Sequence, residues 1–149
     1  MSEGPPDLVA LDPDDFTARD VGAAEDGRRF FLTRPFVPGG DDAPGREFLA
    51  LYLFDAQGRL IEARIEDLGT REGLDEAKVA AARGRWLASL GSTTPGRIWV
   101  APFRIERFGV EFGFIPLEPE DPDDDWCVVV EPGDFMGFRP PWTTGDYDT

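Results

Sequence analysis

The sequence has no histidine, no asparagine and one cysteine among its 149 residues. Without an imidazole, every scheme that uses histidine as base, acid or metal ligand is excluded, including the Ser-His-Asp and Cys-His arrangements. A single thiol forms no internal disulfide, and a cysteine zinc site needs two to four thiolates. That thiol, Cys127, stands in Trp126-Cys127-Val128-Val129-Val130, an apolar run without an adjacent base, which predicts a buried, inert side chain. The lack of asparagine removes the N-glycosylation sequon and the Asn-Gly pair that favours two-residue hairpins. Long apolar runs are missing too. None reaches the roughly 18 residues of a membrane span, and Met1-Ser2-Glu3-Gly4-Pro5-Pro6-Asp7 is acidic where a signal peptide is basic. The expectation is a cytoplasmic protein with no membrane partner.

Enough apolar residues remain to build a core. Leu, Ile, Val and Phe make up about a quarter of the chain, above the ~20% below which disorder prevails. A chain of this length buries roughly 68–70% of its unfolded surface, so one domain over 1–149 is expected. Acidic residues outnumber basic ones 30 to 15, for a net charge of −15. Nearly all the excess lies at the ends: residues 1–27 hold one Arg against eight acids and 116–149 one Arg against ten, while 28–115 are close to balanced. Such a field repels polyanions, which argues against nucleic acid and anionic membranes. Acidic flanks keep a small domain soluble and self-repelling; if the two ends converge in space, they also present a negative face that steers a basic protein partner.

Pattern along the chain predicts an α+β domain: a mostly antiparallel sheet of about six or seven strands with one amphipathic helix. Residues 1–15, rich in proline and aspartate, read as an extended acidic lead-in, and 14–24 as a short helical turn carrying Phe16 and Val21. Residues 28–33 read as a strand that ends at Pro35. The strongest signal is a hairpin. Residues 47–54 are apolar on both faces, as in a central strand; Asp55-Ala56-Gln57-Gly58 turns the chain, and 59–67 alternate Ile61, Ala63 and Ile65 inward with Glu62, Arg64 and Glu66 outward. Residues 75–90 form the helix, with Asp75 as N-cap, Gly91 as the left-handed stop, and Val79, Ala82, Trp86 and Leu90 on the packed face. Gly84 within it reads as a close approach to a strand. Residues 97–107 alternate Trp99, Ala101, Phe103 and Ile105 as one strand interrupted by Pro102. Val110, Phe112 and Phe114 continue the alternation, and shorter strands follow at 126–130 and 135–138.

Four groups of residues invite a functional reading. Asp121, Asp123, Asp124 and Asp125 offer hard oxygen ligands, but from Asp121 an EF-hand would have Trp126 at the glycine place and Pro132 at the bidentate glutamate. A solvated acidic loop facing a cationic partner is the expectation. Glu106 and Glu111 stand among aromatics and glycines, where burial would create an acid or base, as in glycoside hydrolysis. The plainer expectation is that they pair with Arg104 and Arg107. Arg28, Arg29, Arg34 and Arg46 group near one loop and are expected to pair with the acidic ends or to hold an anion. Trp142 and Tyr147, in a terminal segment dense with proline and acids, are either packed on the domain or anchors of a docking tail over 139–149. No cofactor motif is present, since GxxxxGK[ST] is missing.

The run Val110-Glu111-Phe112-Gly113-Phe114-Ile115-Pro116, the turn Pro132-Gly133-Asp134 and the ending Pro140-Pro141-Trp142-Thr143-Thr144-Gly145-Asp146-Tyr147-Asp148-Thr149 together resemble a group of uncharacterised bacterial proteins that close on a PPW-x-x-G-x-YDT pattern. The resemblance covers about the last 40 residues and implies no activity. The functional expectation is thus a non-enzymatic binding module, like an immunity protein or antitoxin, with Asp121, Asp123, Asp124, Asp125, Trp142 and Tyr147 facing a basic partner. No catalytic or metal-binding residue is assigned and no cofactor is expected. The alternatives are a carboxylate-based enzyme, with or without Mg²⁺, and a subunit that self-assembles through an exposed strand such as 97–107.

Overall fold

The computed structural model describes residues 4–41, 43–133 and 136–148. Among them the chain forms β1 (Val9–Leu11), β2 (Asp20–Ala23), β3 (Arg29–Thr33), β4 (Phe36–Val37), β5 (Arg46–Phe54), β6 (Leu60–Thr70), α1 (Glu76–Ala88), β7 (Thr94–Pro95), β8 (Ile98–Val100), β9 (Phe103–Arg107), β10 (Val110–Leu117), β11 (Cys127–Glu131) and β12 (Met136–Phe138). Every pairing is antiparallel. The α+β class holds, but twelve strands in three sheets replace the six or seven expected, because several apolar runs break into short strands assigned to different sheets.

β5 organises the layers. Its odd residues Leu49, Leu51 and Leu53 pack with Phe30, Leu32, Ala82 and Leu90 beneath α1. Its even residues Ala50, Tyr52 and Phe54 join Phe31, Phe114, Val128, Val130 and Phe138 between the two larger sheets. Continuous hydrophobicity over 48–54 is what a strand with two dry faces requires, and burying each large side chain contributes roughly 1.5–3 kcal/mol. The result is three layers: helix, first sheet, second sheet. The first sheet runs β6, β5, then β3 and β4 on the same edge, then β2 and β7; the second runs β9, β10, β11, β12. β1 and β8 form a small separate pair.

Proline decides several of the breaks. Thr33 pairs with Ala50 and Phe36 with Glu47 in an unchanged register, so β3 and β4 are one path along β5, interrupted only where Pro35 lacks an N–H. Its carbonyl still accepts from the Phe48 N–H at 2.9 Å. At Ala101-Pro102 the expected single strand over 97–107 divides instead into β8 and β9, which belong to different sheets. Trp99 consequently turns outward, 38% exposed, while Ile98 and Val100 are buried. Near Asp14 the expected helical turn is an aspartate-capped turn, whose carboxylate accepts the N–H groups of Phe16 and Ala18 at 2.7 and 3.2 Å, and β2 follows. Phe16 lies 78% exposed.

The 46–70 hairpin forms as expected, with one correction. A register shift between Leu53 and Phe54 makes Ile61 the extra residue of a bulge. Ile61 is therefore exposed, and Leu60, Ala63 and Ile65 take the inner face. Gly58 has φ +84, and a Cβ there would stand 2.7 Å from both the Trp99 carbonyl oxygen and Leu8, so the turn requires glycine. The helix spans 76–88, with the Asp75 carboxylate accepting the Ala77 and Lys78 N–H groups at 3.0 and 3.4 Å. Val79 and Ala82 are buried and Trp86 and Leu87 partly so. Gly84 has open space around it, so no strand approaches there. Of the strand expected over 135–138, Phe135 lies outside the described residues, as does Asp134 of the preceding turn.

Candidate functional site

Fourteen arginines and one lysine must serve thirty acids, so the pairing pattern shows where negative charge is left over. Arg28 pairs with Asp26 at 2.8 Å, Arg46 with Asp67 at 2.7 Å, and Arg83 with Asp20 at 2.7 Å. Arg34 binds Glu47 at 2.8 Å and grips Glu76 through both terminal nitrogens; Arg71 completes the group on Glu47 at 2.9 Å. Of the arginines near β3 and β4, Arg34 and Arg46 thus pair with acids from the middle of the chain, while Arg28 pairs with Asp26 of the acidic N-terminal stretch. Sequence alone missed this because Glu47, Asp67 and Glu76 come close only once the first sheet and α1 assemble.

The stretch joining β10 to β11 is different. Glu118, Glu120, Asp121, Asp123, Asp124 and Asp125 are all exposed, and no ion pair among the described residues includes any of them. The Asp121 carboxylate accepts the Asp123 N–H at 2.9 Å and its carbonyl accepts the Asp124 N–H at 2.9 Å, so a tight turn presents the aspartates to solvent. Among the described residues, no three acids or cysteines come together as a metal-holding group.

Trp142 and Tyr147 instead pack, half-buried, against the inter-sheet core. The Trp142 carbonyl accepts the Ala10 N–H at 2.9 Å and the Gly145 carbonyl the Asp12 N–H at 3.1 Å, while Gly137 and Asp148 exchange both backbone bonds at 2.8 Å. Arg97 ties the segment down, donating to Asp12 at 2.7 and 3.0 Å and to the Thr143 and Thr144 carbonyls at 3.0 Å. Its hydrogen bond holds the Asp12 carboxyl below the usual range. The Tyr147 hydroxyl donates to Asp14, and burial, with that carboxylate beside it, raises the phenol above its ordinary value. Residues 139–148 are thereby fastened to β1. Sequence reading gave no sign of Arg97 or Asp12 in this role, since only the fold brings together groups 85 positions apart.

The remaining candidates are solvent-facing. Glu106 and Glu111 lie directly opposite each other on the outer face of β9 and β10, both exposed, so the burial an acid–base pair would need is missing. Arg104 bridges to Glu111 at 3.3 Å, whereas Arg107 turns to the Glu106 carbonyl at 3.0 Å. Cys127 is half-buried rather than buried, at the start of β11. The cleft between α1 and β3, about 500 Å³, is lined by Phe16, Arg19, Asp20, Arg34, Val79 and Arg83; two of its three guanidinium groups are already engaged by acids. Among the described residues, no helix is long and apolar enough to cross a membrane.

Comparison with protein-family models, curated proteins and solved structures finds no match. The functional reading therefore rests on this chain alone.

Proposed function

We propose that this chain is a non-enzymatic binding module that offers an acidic surface to a basic protein partner, in the manner of an immunity protein or antitoxin. The observation supporting it is the concentration of unpaired charge: among the described residues, six exposed acids within 118–125 make no ion pair, while nine of the fourteen arginines pair with acids elsewhere. Such a surface raises association rates by long-range attraction and is screened over about 8–10 Å at moderate salt. The binding role is assigned to Asp121, Asp123, Asp124 and Asp125. Trp142 and Tyr147 serve this reading by holding the terminal segment in place. A cytoplasmic location without nucleic-acid or membrane partners accords with the charge.

The test is affinity capture from native lysate with the full chain and, in parallel, a variant carrying Asp121→Asn, Asp123→Asn, Asp124→Asn and Asp125→Asn. The expected result is a basic protein held by the first at low salt, released at high salt, and not retained by the second. Identical bound sets, or a complex indifferent to salt, would overturn the proposal.

A further inference from the structure

The first sheet ends at β6, which pairs with β5 and with no other strand among the described residues. The backbone groups its outer edge presents follow from the ladder behind it, where mutually bonded pairs alternate with unbonded ones. The Phe48 N–H donates to the Pro35 carbonyl at 2.9 Å, so Phe48, Ala50 and Tyr52 bond towards β4 and β3, and Leu49, Leu51 and Leu53 towards β6. Their partners there are Glu66, Arg64 and Glu62. The N–H and C=O groups of Ala63 and Ile65 therefore point away from the sheet, and no turn or loop backbone among the described residues bonds to them. α1 lies over β3 and β5, on Phe30, Leu32, Leu49, Leu51 and Leu53.

The side chains along this edge limit what can pair with it. Register shifts beside Ile61 and beyond Asp67 bound its regular part. Within it the helix-side face carries Glu62, Arg64 and Glu66 in alternating sign; the face towards the second sheet carries Ala63 and Ile65, half-buried, with Ile61 51% exposed beside them. Charges of one sign would repel a second copy in every register, whereas alternating charges repel in one register and attract in the next. A two-fold axis at Arg64 gives the longest overlap, but Arg64 then faces its own copy and Glu62 faces Glu66. With the axis at Ala63, Glu62 faces Arg64 twice over, and four charges alternate around a square. The two Ala63 residues exchange both backbone bonds, and each Ile61 faces an Ile65 of the other copy. With the axis at Ile65, Arg64 faces Glu66, yet one carboxylate oxygen of Glu66 is buried and that side chain lines the cleft beneath α1 with Leu74 and Lys78. In that register Ala63 also faces Asp67, which Arg46 already holds at 2.7 Å.

We propose that two copies of this chain pair antiparallel through β6, with a two-fold axis at Ala63, joining their first sheets into one continuous sheet. The occupant is a second copy because the charge sequence of the edge complements itself in this register, and because Ile61, exposed at the edge, gains an apolar neighbour there. Arg64 donates from Nε to Glu62 of its own strand and from Nη1 to Ser89 at 2.9 Å, which leaves Nη2 for the facing carboxylate. The net charge of −15 has its excess in residues 1–27 and 116–149, outside β6, and its repulsion is screened over about 8 Å at physiological salt.

The test is sedimentation equilibrium of the full chain over a concentration series at physiological salt, with amide exchange read at Ala63 and Ile65. The expected result is a monomer–dimer equilibrium in which exchange at both amides slows as concentration rises. Glu62→Arg and Arg64→Glu, each alone, turn both facing ion pairs into like-charge pairs and weaken dimerisation about tenfold or more. Mixed in equal amounts, the two variants restore opposite charges across the axis and form a heterodimer about as tight as the unsubstituted dimer. Mixing does not rescue a misfolded chain, so this recovery separates the facing charges from any effect on folding. A chain still monomeric at about 1 mM, a dimer that protects β9 in place of Ala63 and Ile65, or single variants that dimerise like the unsubstituted chain overturns the proposal. A mixture no more dimeric than its components does so as well. The chain with all four loop aspartates replaced by asparagine keeps β6 intact and is expected to dimerise, so this proposal and the functional reading fail separately.

Discussion

β5 and β9 lie one above the other in the sandwich, yet their surroundings are opposite. β5 has a neighbour on each edge and a dry layer on each face; among the described residues β9 has one neighbour, one half-covered face and one face of charged side chains. What a substitution should change differs accordingly. In β5 every group is already used within the chain, so the loss falls on folding. In β9 one edge and one face are left open, so less is lost from folding. The sharpest way to break this contrast is a matched pair of truncations. Phe54→Ala, at a position with no exposure, is expected to cost about 3–5 kcal/mol in denaturant unfolding. Ile105→Ala, on the half-buried β9, is expected to cost about 1–2 kcal/mol, less than a fully enclosed site. Equal losses would mean that β9 is as enclosed as β5.

The same contrast shows which parts of the fold sequence reading could reach. Where one residue type meets one requirement, the sequence was enough: the two-faced apolar run of β5, Asp75 at the helix start and Gly58 in the hairpin turn all satisfy local rules. Where the outcome depended on which of several sheets a strand joins, it was not. Simple alternation puts Ile61 on the inner face and Trp99 on one face with Phe103 and Ile105; a bulge in one case and the break at Pro102 in the other leave both exposed. The candidate site divides the same way. The four loop aspartates stand out from charge alone, but their lack of arginine partners among the described residues follows from the fold, which carries Arg34, Arg46, Arg83 and Arg97 to other acids.

Glu47 sharpens the comparison from the β5 side. Its side chain is 11% exposed and lies between Arg34 and Arg71, joining the β3–β4 interruption, β5 and the loop before α1. Glu47→Ala leaves Arg71 without this carboxylate and removes one of the two acids on Arg34. The expected loss is about 2 kcal/mol, moderated because both arginines are partly solvated. Glu47→Gln keeps the shape and should retain about half of that. A change under about 0.5 kcal/mol for alanine, the range of ordinary surface substitutions, would show the group to be ornamental to the fold.

Phe108 is the position where the two strands touch and where a smaller effect is expected. It holds a left-handed backbone conformation that aromatic residues disfavour, while its ring stacks on Phe48 at 6.0 Å and its carbonyl accepts from Arg46 at 3.4 Å. Phe108→Ala keeps the backbone cost and loses the stacking, for an expected loss of about 1 kcal/mol. Phe108→Asn loses the stacking but adopts the turn readily, so thermal unfolding is expected to be nearly unchanged, within about 0.5 kcal/mol. If alanine and asparagine behave alike, backbone conformation contributes nothing at this turn.

The weakest expected effect is at the fastened terminal segment, and its sign follows from linkage. Asp12 has its carboxyl lowered from 3.8 by the hydrogen bond from Arg97. A group whose folded value is depressed contributes stability above its unfolded value, and that contribution is lost as pH falls through the folded one. Acidification to below about pH 4 should therefore loosen the segment that Arg97 also holds through the Thr143 and Thr144 carbonyls, while the interior of β5, which has no ionisable group between Phe48 and Phe54 other than Tyr52, is untouched. Amide exchange at Ala10, whose N–H is bonded to the Trp142 carbonyl, should rise before exchange at Leu51 does. Arg97→Gln should make that early opening present already at neutral pH. Simultaneous opening of both sites in both proteins would show that the terminal segment unfolds only with the whole domain, and that the Asp12–Arg97 pair adds nothing local to its attachment.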